Sequence, residues 1–431
     1  MRTVAITGAR VLDPASHRDG PATLLLRNGR IEGFAGPSEA LPEGCERVDA
    51  EGLTLVPGLV DTRVFSGQPG AEHRETLASL SAAALAGGVT TLLVMPDTEP
   101  VLDEAAMVGF VRDRGERDGA VRMLPVGALT RGLDGEALAE MGLMVEAGAV
   151  ALGQGRRPVA DSALLRRALV YARDFGVTVD LPPRDAFLAG GMMNAGSMAG
   201  WLGLASEPPE AELLAVLRDV ELAHAARTPL NVAGLSLGRS AAEIARAKDS
   251  GRDVTASIAI NHLALNETDV GDYRTYARLE PPLRREEDRL AVIEALRGGA
   301  IDMVCSAHDP QDADTKRLPF PDAAPGAIGL ETLLAVLLRL HHNGEVPLMR
   351  LIESVTATPA RRFGLEAGTL AVGAPADFAL VDLDEPWIVR EEDIVSRSRN
   401  TPFENARLQG RVAETWVAGR PEFVSADRRD R

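Results

Sequence analysis

Cysteine and lysine are scarce in this chain of 431 residues. Its two cysteines, Cys45 and Cys305, lie far apart in the sequence, which excludes a disulfide framework and a site built from several thiolates. The only lysines are Lys248 and Lys316, so arginine supplies nearly all of the positive charge. Acidic residues still predominate, and a net charge of −17 would repel nucleic acid or an anionic membrane. We therefore expect neither as a partner.

Long apolar runs are also missing. No stretch of about 18 uninterrupted apolar residues is present, so the sequence predicts no membrane-spanning helix. The first residues, MRTVAITGARVL, alternate like a strand and lack the pattern of a secretory signal peptide. These features predict a cytoplasmic protein.

Two kinds of pattern divide the chain. Residues 1–55 and 369–431 contain short alternating segments such as ATLLLRNGRIEGF, in which Asn28-Gly29 predicts a tight hairpin turn. Residues 56–368 instead alternate helical patterns with strand-like runs, as where ETLASLSAAALAGG precedes TTLLVMP. About eight such units form a closed parallel barrel. The sequence thus predicts an α/β fold: a TIM (β/α)8 barrel over residues 56–368, and a small β-sandwich domain that residues 1–55 and 369–431 form together.

Several longer motifs carry a family resemblance. They are PGLVD from Pro57, EHRETLASLSAAALAGGVTTLLVMPDTEP from Glu72, EPPLRREEDRLAVIEAL from Glu280 and SAHDPQDADTKRLPF from Ser306. With them the chain resembles the amidohydrolase superfamily, and within it the dihydroorotases, over nearly its whole length. The resemblance implies a metal-dependent barrel that opens and closes a cyclic amide. In such a barrel one or two zinc ions activate a hydroxide and an Asp moves the proton.

The positions that hold zinc in that family carry other residues here. The His-x-His pair of the first strand corresponds to Arg63 and Phe65, and neither a guanidinium nor a phenyl ring offers a lone pair to a cation. The remaining ligand positions correspond to Gln154, Pro182, Asn231 and Gly234. A carboxylated lysine near Gln154 is excluded because no lysine precedes Lys248. The catalytic Asp corresponds to Ala307, whose methyl group cannot accept a proton. We therefore predict no metal ligand, no zinc cofactor and no catalytic residue.

Substrate-binding positions have changed as well. By the same resemblance, an Arg and two Asn residues of the family correspond to Gly67, Asp97 and Glu280. The two new carboxylates would oppose an acidic substrate. The predicted remnant of the site at the barrel mouth consists of Asp61, Arg63, Asp97, Glu280 and His308. Within it, Arg63 is predicted to form an ion pair with Asp61 that replaces the charge of the metal, and anion binding by Arg63 is the alternative.

The surviving histidines allow two interpretations. His308 could contact a ligand, because its family counterpart lies beside the substrate carboxylate, or it could be a hydrogen-bonded histidine at a strand end. His73 and His262 are interpreted as structural, since buried imidazoles must satisfy both ring nitrogens. Asp309 is not expected to pair with His308, because adjacent residues of an extended segment point in opposite directions. The run RREEDR, Arg284–Arg289, predicts a solvated helix start.

Three functions remain open. The first is a non-catalytic dihydroorotase homologue, a pseudoenzyme of pyrimidine biosynthesis that acts as a structural or regulatory partner. Inactive dihydroorotase-like chains hold aspartate carbamoyltransferase together in related families, which makes that enzyme the expected partner. The second is an active cyclic-amide hydrolase of the dihydroorotase or hydantoinase type with a rearranged site, and the third is a module that binds a pyrimidine intermediate without turnover. The missing ligand set favours the first, as a homo-oligomer built on dimers.

Overall fold

The structure of the protein is a computed structural model that describes residues 3–36 and 39–429. Its strands, numbered in chain order, are β1 Thr3–Thr7, β2 Arg10–Asp13, β3 Arg18–Pro21, β4 Thr23–Arg27, β5 Arg30–Ala35, β6 Glu46–Asp49, β7 Thr54–Pro57, β8 Leu59–Val64, β9 Val89–Val94, β10 Arg122–Ala128, β11 Ala151–Gly153, β12 Thr178–Leu181, β13 Met193–Asn194, β14 Ser206–Glu207, β15 Leu230–Ala233, β16 Val254–Ala259, β17 Met303–Cys305, β18 Phe378–Ile388, β19 Arg407–Val417 and β20 Arg420–Val424. Its α-helices are α1 Leu77–Ala86, α2 Ala105–Asp118, α3 Met141–Glu146, α4 Ser162–Arg173, α5 Ser197–Leu202, α6 Glu210–Ala226, α7 Gly238–Asp249, α8 Ile260–Ala264, α9 Glu286–Arg297, α10 Ala313–Lys316, α11 Leu333–His342, α12 Leu348–Ser354, α13 Ala357–Arg362 and α14 Ala426–Arg429.

Within these residues, a parallel sheet of eight strands forms the barrel, in the order β8, β9, β10, β11, β12, β15, β16 and β17. The two ends of this sheet meet just beyond β17, where Val64 of β8 forms a parallel bridge with His308. The N–H of Phe65 donates to the carbonyl oxygen of His308 at 2.9 Å. The predicted α/β fold with a TIM barrel is therefore confirmed.

The barrel strands are buried on both faces, which explains their apolar sequences. Every residue of β8 and of β9 is buried, as expected for parallel strands that are covered by helices outside and by side chains inside. The outer helices turn an apolar stripe towards the sheet. In α4 this stripe consists of Leu164, Leu165, Ala168, Leu169 and Ala172. None of the described helices combines the length and the apolar composition needed to cross a bilayer.

Further sheets join the two ends of the described chain. One has the strand order β5, β4, β1, β6, and another has the order β20, β19, β18, β7, β2, β3. In the second, β7 and β18 run antiparallel, with Val56 opposite Ala379. Buried side chains from both chain ends share one apolar cluster, in which the rings of Phe378 and Trp416 stack at 5.3 Å. The exact limits of the two domains, 1–55 with 369–431 and 56–368, stay a prediction.

The turn between β4 and β5 is formed by Asn28 and Gly29, and both residues have positive φ angles, of 50° and 80°. That pair of angles is characteristic of the type I′ hairpin turn, whose twist matches that of the strands. A Cβ atom on Gly29 would lie 2.7 Å from the carbonyl oxygen of Ala418. The predicted hairpin is confirmed.

After β12 the chain leaves the barrel, and we call residues 182–209 the mouth excursion. It contains α5 and the short parallel pair β13 and β14. Arg284 anchors the mouth excursion. Its buried guanidinium donates to Oδ1 of Asn194 and Oε1 of Glu207, each at 3.2 Å. The predicted solvated helix start is therefore right for α9, which begins at Glu286, and wrong for Arg284. Its carboxylate partner Glu207 is distant in sequence.

Candidate functional site

Arg63, near the carboxyl end of β8, is buried inside the barrel mouth, and the residue is only 8% exposed. Nη2 donates to the carbonyl oxygen of Gly155 at 2.9 Å, and Nη1 lies 3.4 Å from Oδ2 of Asp180 on β12. Asn231 on β15 donates to Oδ1 of Asp180 at 2.6 Å and accepts from Thr255. Burial raises the pKa of Asp180, while Arg63 and Asn231 act to lower it. A buried ion pair thus crosses the barrel mouth.

Phe65 follows directly after β8 and is covered by a second arginine. The guanidinium carbon of Arg156 lies 3.6 Å from the centroid of the Phe65 ring, which is a cation–π contact. Arg156 also forms an ion pair with Asp309 at 2.6 Å and one with Asp97 at 3.5 Å. The carboxylate of Asp97 therefore has a positive partner beside it.

The loop between β11 and α4 brings Arg156 and a backbone carbonyl to this point. Gly155 has a φ angle of +58°, and a Cβ atom there would lie only 1.7 Å from Oδ2 of Asp97. Because Gly155 has no side chain, its backbone can lie close to the carboxylate of Asp97. In that position the carbonyl oxygen of Gly155 accepts from Arg63.

Asp61 is fully buried on β8, but its carboxylate is not the partner of the Arg63 guanidinium. Oδ1 accepts from the backbone N–H of Arg63 at 3.3 Å, and both oxygens accept from the N–H of Ser306, at 3.2 and 3.3 Å. Burial raises the pKa of Asp61 to about 6, although these hydrogen bonds and the charge of His308 oppose the rise. The predicted ion pair between Arg63 and Asp61 is wrong, because backbone amides occupy Asp61 and the guanidinium reaches Asp180 instead.

A small pocket lies against these side chains, and we call it the mouth pocket. Its volume is about 60 Å³, and its walls include Arg63, Phe65, Arg156, Pro182, Arg184, Gly234, Glu280 and Ala307. Small-molecule sites commonly measure about 300–1,000 Å³, so this pocket is small. Glu280 is paired with Arg184 at 2.9 Å, and its charge is balanced in the same way as that of Asp97.

His308 is buried between the first barrel strand and the outer wall. Its Nδ1 accepts from the N–H of Gly329 at 3.3 Å, and its Nε2 lies 3.6 Å from Oε2 of Glu75. Burial acts to raise the pKa of Glu75, but His308, Ser396 and Ser79 outweigh burial and hold that pKa below its ordinary value. The bond to Gly329 favours the interpretation of His308 as a hydrogen-bonded structural residue, although its Nε2 has no hydrogen-bond partner among the described residues.

The other two histidines differ from each other. The side chain of His73 is 63% exposed and lies 3.7 Å from Asp312, so its interpretation as a buried histidine is wrong. The loop that carries it runs along the surface. His262 is buried, with Nε2 3.0 Å from the carbonyl oxygen of Pro281, and burial lowers its pKa to about 4. Its Nδ1 lacks a hydrogen-bond partner among the described residues, so only one of its two nitrogens is satisfied.

Known protein families and curated proteins match this chain over nearly its whole length. Residues 52–237 match the family described as Dihydro-orotase-like, and residues 205–421 match the Amidohydrolase family. A dihydroorotase from Anaeromyxobacter dehalogenans is 43% identical over 418 residues, which cover 96% of each chain. The chain belongs to the dihydroorotase-like amidohydrolases. A dihydroorotase from Pelobacter propionicus is 41% identical over 416 residues, covering 96% of this chain and 98% of the relative.

Solved structures of other amidohydrolases have the same fold. The L-hydantoinase (dihydropyrimidinase) from Arthrobacter aurescens superimposes with a TM-score of 0.89 at 25% identity, over 98% of this chain and 96% of that one. A dihydropyrimidinase from Brevibacillus agri gives a TM-score of 0.83 at 20% identity, over 97% and 94%. The barrel and its accompanying sheets are thus common to proteins whose sequences have diverged widely.

The residues predicted at the family's ligand positions do not have the chemistry of zinc ligands. Zinc requires imidazole, thiolate or carboxylate ligands, usually three or more from the protein. Gln154 instead donates from its amide to Oγ1 of Thr130 at 2.7 Å, and Asn231 donates to Asp180. Pro182 and Gly234 present no side-chain donor atom at all. In residues 3–36 and 39–429, no group of three or more His, Cys, Asp and Glu side chains is placed to hold a metal ion.

Ala307, which the resemblance predicts at the position of the family's catalytic Asp, lies in the wall of the mouth pocket. Its φ angle is 49°, a left-handed conformation that costs a non-glycine residue about 1 kcal/mol or more. Such strain is typical of functional sites. In this dihydroorotase-like chain the strained backbone is present, while the side chain is a methyl group that cannot transfer a proton.

Two residues that shape the site were missed by sequence reasoning. Asp180 lies in the buried strand TVDL, where a charged residue needs a partner, and that requirement was a signal that could have been used. Arg156 follows β11 in GQGRRP, at the carboxyl end of a barrel strand, where functional groups collect. Neither sequence pattern predicts the partner residue, because Arg63 is distant in sequence from Asp180, and Asp309 is distant from Arg156.

Proposed function

We propose that this protein is a non-catalytic dihydroorotase homologue, a structural or regulatory partner in pyrimidine biosynthesis. The single observation that supports it best is the buried pair of Arg63 and Asp180, where Arg63 is the residue predicted at the first metal-ligand position of the family. A guanidinium held there by Asp180 and Gly155 repels a cation and takes up a carboxylate that could have coordinated one.

The remaining acid and base groups support the same proposal. Hydrolysis of a cyclic amide needs an activated water and a proton acceptor. The carboxylate of Asp61 is occupied by two backbone amides, and that of Asp309 is paired with Arg156. Glu280 is paired with Arg184. Asp309 and Glu280 each have a guanidinium partner that stabilises the charged carboxylate, which leaves them poorly suited to accept a proton. Asp61 holds a proton more readily, but it is fully buried on β8 and is not part of the wall of the mouth pocket.

Zinc content and hydrolysis of dihydroorotate, measured on the same purified sample, test the proposal. We expect less than one tightly bound zinc per chain after dialysis, no stabilisation by added zinc, and no turnover. The dihydroorotase from Anaeromyxobacter dehalogenans, purified and assayed in parallel, is the matched control for the assay. Stoichiometric zinc, or turnover that rises with the concentration of this protein, would overturn the proposal.

A second candidate is an active cyclic-amide hydrolase with a rearranged site. The names of the relatives favour it, because proteins 43% and 41% identical to this chain are called dihydroorotase. If this candidate is correct, hydrolysis must depend on side chains of the mouth pocket. Loss of activity in the Arg156→Gln variant and retention in Arg167→Gln, which changes an exposed residue of α4, would support this second candidate.

For the partner we propose aspartate carbamoyltransferase. The mouth excursion exposes two large aromatic side chains, Phe187 at 87% and Trp201 at 76%. Exposed aromatic residues are unfavourable in water and are enriched at the centres of protein interfaces. Their position on an excursion from the barrel supports a surface role that needs no catalytic residue. We further propose that the protein is a homo-oligomer built on dimers, as symmetric assemblies commonly are.

A further inference from the structure

A second cavity, which shares no lining residue with the mouth pocket, lies among the loops that follow β16 and β17. We call it the tyrosine groove; it is bounded by the loop with Tyr273 and Tyr276, by α10, and by the segment Arg397–Asn400. Its volume is about 570 Å³, against about 60 Å³ for the mouth pocket. That volume falls within the range of about 300–1,000 Å³ that is typical of small-molecule sites.

The groove carries an excess of positive charge, because five Arg and Lys side chains and three carboxylates, those of Asp312, Glu391 and Glu404, line it. Arg274, Arg317 and Arg397 line it, and among the described residues none of the three forms an ion pair through its guanidinium. Arginines elsewhere in this chain commonly pair with Asp or Glu, as expected for a protein with a net charge of −17. Three unpaired guanidiniums in one cavity therefore form a local site for an anion.

Lys316, one of only two lysines, adds a buried ammonium to this wall. It is 3% exposed, and its Nζ donates to the carbonyl oxygen of Thr275 at 3.1 Å. Burial lowers the pKa of Lys316 to about 7, although the charge of Asp309 acts to raise it. An ammonium has three donors, so an anion in the groove would occupy donors that Thr275 leaves open.

Two of the chain's three tyrosines also line the groove. The hydroxyl of Tyr273 donates to the carbonyl oxygen of Leu202 at 2.8 Å, which fixes a ring that is 46% exposed. Exposed aromatic faces stack on nucleobases irrespective of base identity. The carboxylates of Glu391 and Glu404 lie near Tyr276 and, together with burial, raise its pKa. Carboxylates placed beside an aromatic ring are suited to accept hydrogen bonds from ribose hydroxyls.

We propose that the tyrosine groove binds a nucleoside di- or triphosphate. The arginines and Lys316 bind the phosphates, a tyrosine ring stacks on the base, and Glu391 or Glu404 accepts from the ribose. A phosphate without a base would use only the cations, and a nucleoside without phosphate would use only the ring and the carboxylates. The proposal is independent of whether the barrel is catalytic, because it uses residues outside the mouth pocket.

Calorimetric titration of the full chain with ATP, inorganic tripolyphosphate and adenosine at low salt tests the proposal. We expect ATP to bind with micromolar affinity, and tripolyphosphate and adenosine each to bind at least about tenfold more weakly. The double variant Arg274→Gln with Arg317→Gln should weaken ATP binding by at least about tenfold, since charged hydrogen bonds are lost. Tyr276→Leu should weaken binding of ATP but not that of tripolyphosphate.

Arg167→Gln is the matched control, because it removes one positive charge from an exposed position on α4 and should leave ATP binding unchanged. Thermal unfolding of each variant checks that the fold is retained. The proposal is overturned if ATP does not bind, if tripolyphosphate binds as tightly as ATP, or if the double variant binds ATP as the wild type does. None of these results bears on zinc content or hydrolysis, so failure here is distinguishable from failure of the proposed function.

Discussion

Single side chains balance the charge inside the barrel mouth. Arg63 and Asp180 are both buried and lie 3.4 Å apart, and Arg156 is shared between Asp97 and Asp309. Removing one member of a buried pair leaves the other charge without compensation, which commonly costs about 3–5 kcal/mol. The site is therefore a set of mutually dependent residues, in which one substitution changes the requirements of its partner.

Restoring the first pair of family ligands, by Arg63→His with Phe65→His, should not produce dihydroorotase activity. Catalytic groups act as a unit. Pro182 and Asn231 would still stand at predicted ligand positions, and Ala307 at the predicted position of the proton acceptor. The variant should also lose about 3 kcal/mol of unfolding free energy, because Asp180 loses its guanidinium partner. Dihydroorotate hydrolysis, zinc analysis and urea denaturation measure these three outcomes.

The matched control replaces both charges, as Arg63→Met with Asp180→Leu. Apolar residues of similar size often replace a buried ion pair at little cost, so most of the lost stability should return. Ring hydrolysis by the double-histidine variant above that of the parent would contradict the view that the whole catalytic set has been replaced.

Stability should depend on pH through Asp61. Burial raises its folded-state pKa from an ordinary 3.8 to about 6, so the folded chain keeps the proton that the unfolded chain has lost. The contribution of Asp61 to stability is therefore fully present below about pH 3.8 and is lost as the pH rises through about 6. The variant Asp61→Asn cannot titrate, and its amide oxygen can still accept from the Ser306 N–H.

Relative to the wild type, Asp61→Asn should become more stable between pH 4.5 and 6.5, by at most about 1.4 kcal/mol per pH unit. Above that range the difference should level off. Urea denaturation of both proteins across the range measures this difference, and a constant difference would show that the proton on Asp61 does not change with pH there.

Among the elements, the mouth excursion depends most on distant contacts. Arg284 bonds to Asn194 and Glu207 in the excursion, and its Nε donates to Oγ of Ser236 at 2.9 Å. Glu212 accepts from the backbone N–H groups of Ser236 and Leu237. Arg284 thus links the excursion to the loop after β15, in addition to the ion pair of Arg184 with Glu280 and the hydrogen bond from Tyr273 to Leu202.

Arg284→Gln should lower the unfolding free energy by about 3 kcal/mol, because Glu212 would then be buried without its guanidinium partner, and Glu207 would keep only its ion pair with Arg184. Backbone amides of residues 182–209 should also exchange faster with solvent, since the excursion loses its anchor. Hydrogen exchange followed by mass spectrometry and urea denaturation measure the two effects.

The adjacent Arg285 is a matched control. It is exposed, and its guanidinium makes a 3.2 Å hydrogen bond to the carbonyl oxygen of Ala195. Arg285→Gln should change stability by no more than about 0.5 kcal/mol. Equal effects of the two substitutions would mean that burial of Arg284 does not matter for the excursion.

Local patterns in the sequence predicted the secondary-structure elements well, and they predicted the contacts between distant elements less well. The hairpin at Asn28-Gly29 was predictable because the two residues themselves determine the turn. The burial of Arg284 was not predictable, because its partner Glu207 lies 77 positions away and its neighbours in sequence are charged. A charged run is typical of a solvent-exposed surface unless the tertiary structure supplies a partner.

The same distinction applies to the candidate site. Motifs in the sequence predicted which side chains stand at the family's ligand positions, but they did not predict the partner of Arg63. Asp180 lies 117 positions from Arg63, whereas Asp61 is two residues away and looked like the natural partner. Only the strand order of the closed barrel shows that β8 and β12 both direct charged side chains into the mouth.

At the scale of the whole molecule, the proposed partnership with aspartate carbamoyltransferase requires a binding surface and no catalytic activity. Phe187 and Trp201 are large apolar side chains that the monomer leaves in solvent. Stable complexes usually bury more than about 1,000 Å² in total, with aromatic residues near the centre. An interface centred on these residues would explain why they are exposed.

Co-expression with the aspartate carbamoyltransferase of the same organism should give one complex in size-exclusion chromatography with light scattering. Phe187→Ala with Trp201→Ala should abolish the complex and leave the melting temperature unchanged, because both side chains are already exposed. Val372→Ala, which changes another exposed apolar residue, is the control and should keep the complex. Separate elution of the wild-type proteins at micromolar concentration would contradict the partnership.

The contacts between the two ends of the chain also affect the order of events during synthesis. Glu75 beside the first barrel strand bonds to Ser396, 321 positions later, and β7 pairs with β18. A ribosome that adds about 5–20 residues per second needs tens of seconds to make the intervening chain. For that time β7 lacks its neighbour β18, and a free strand edge can pair with another chain. Completion of this fold therefore waits for nearly the last part of translation, and a nascent chain that stops before β18 exposes an edge that the finished protein covers.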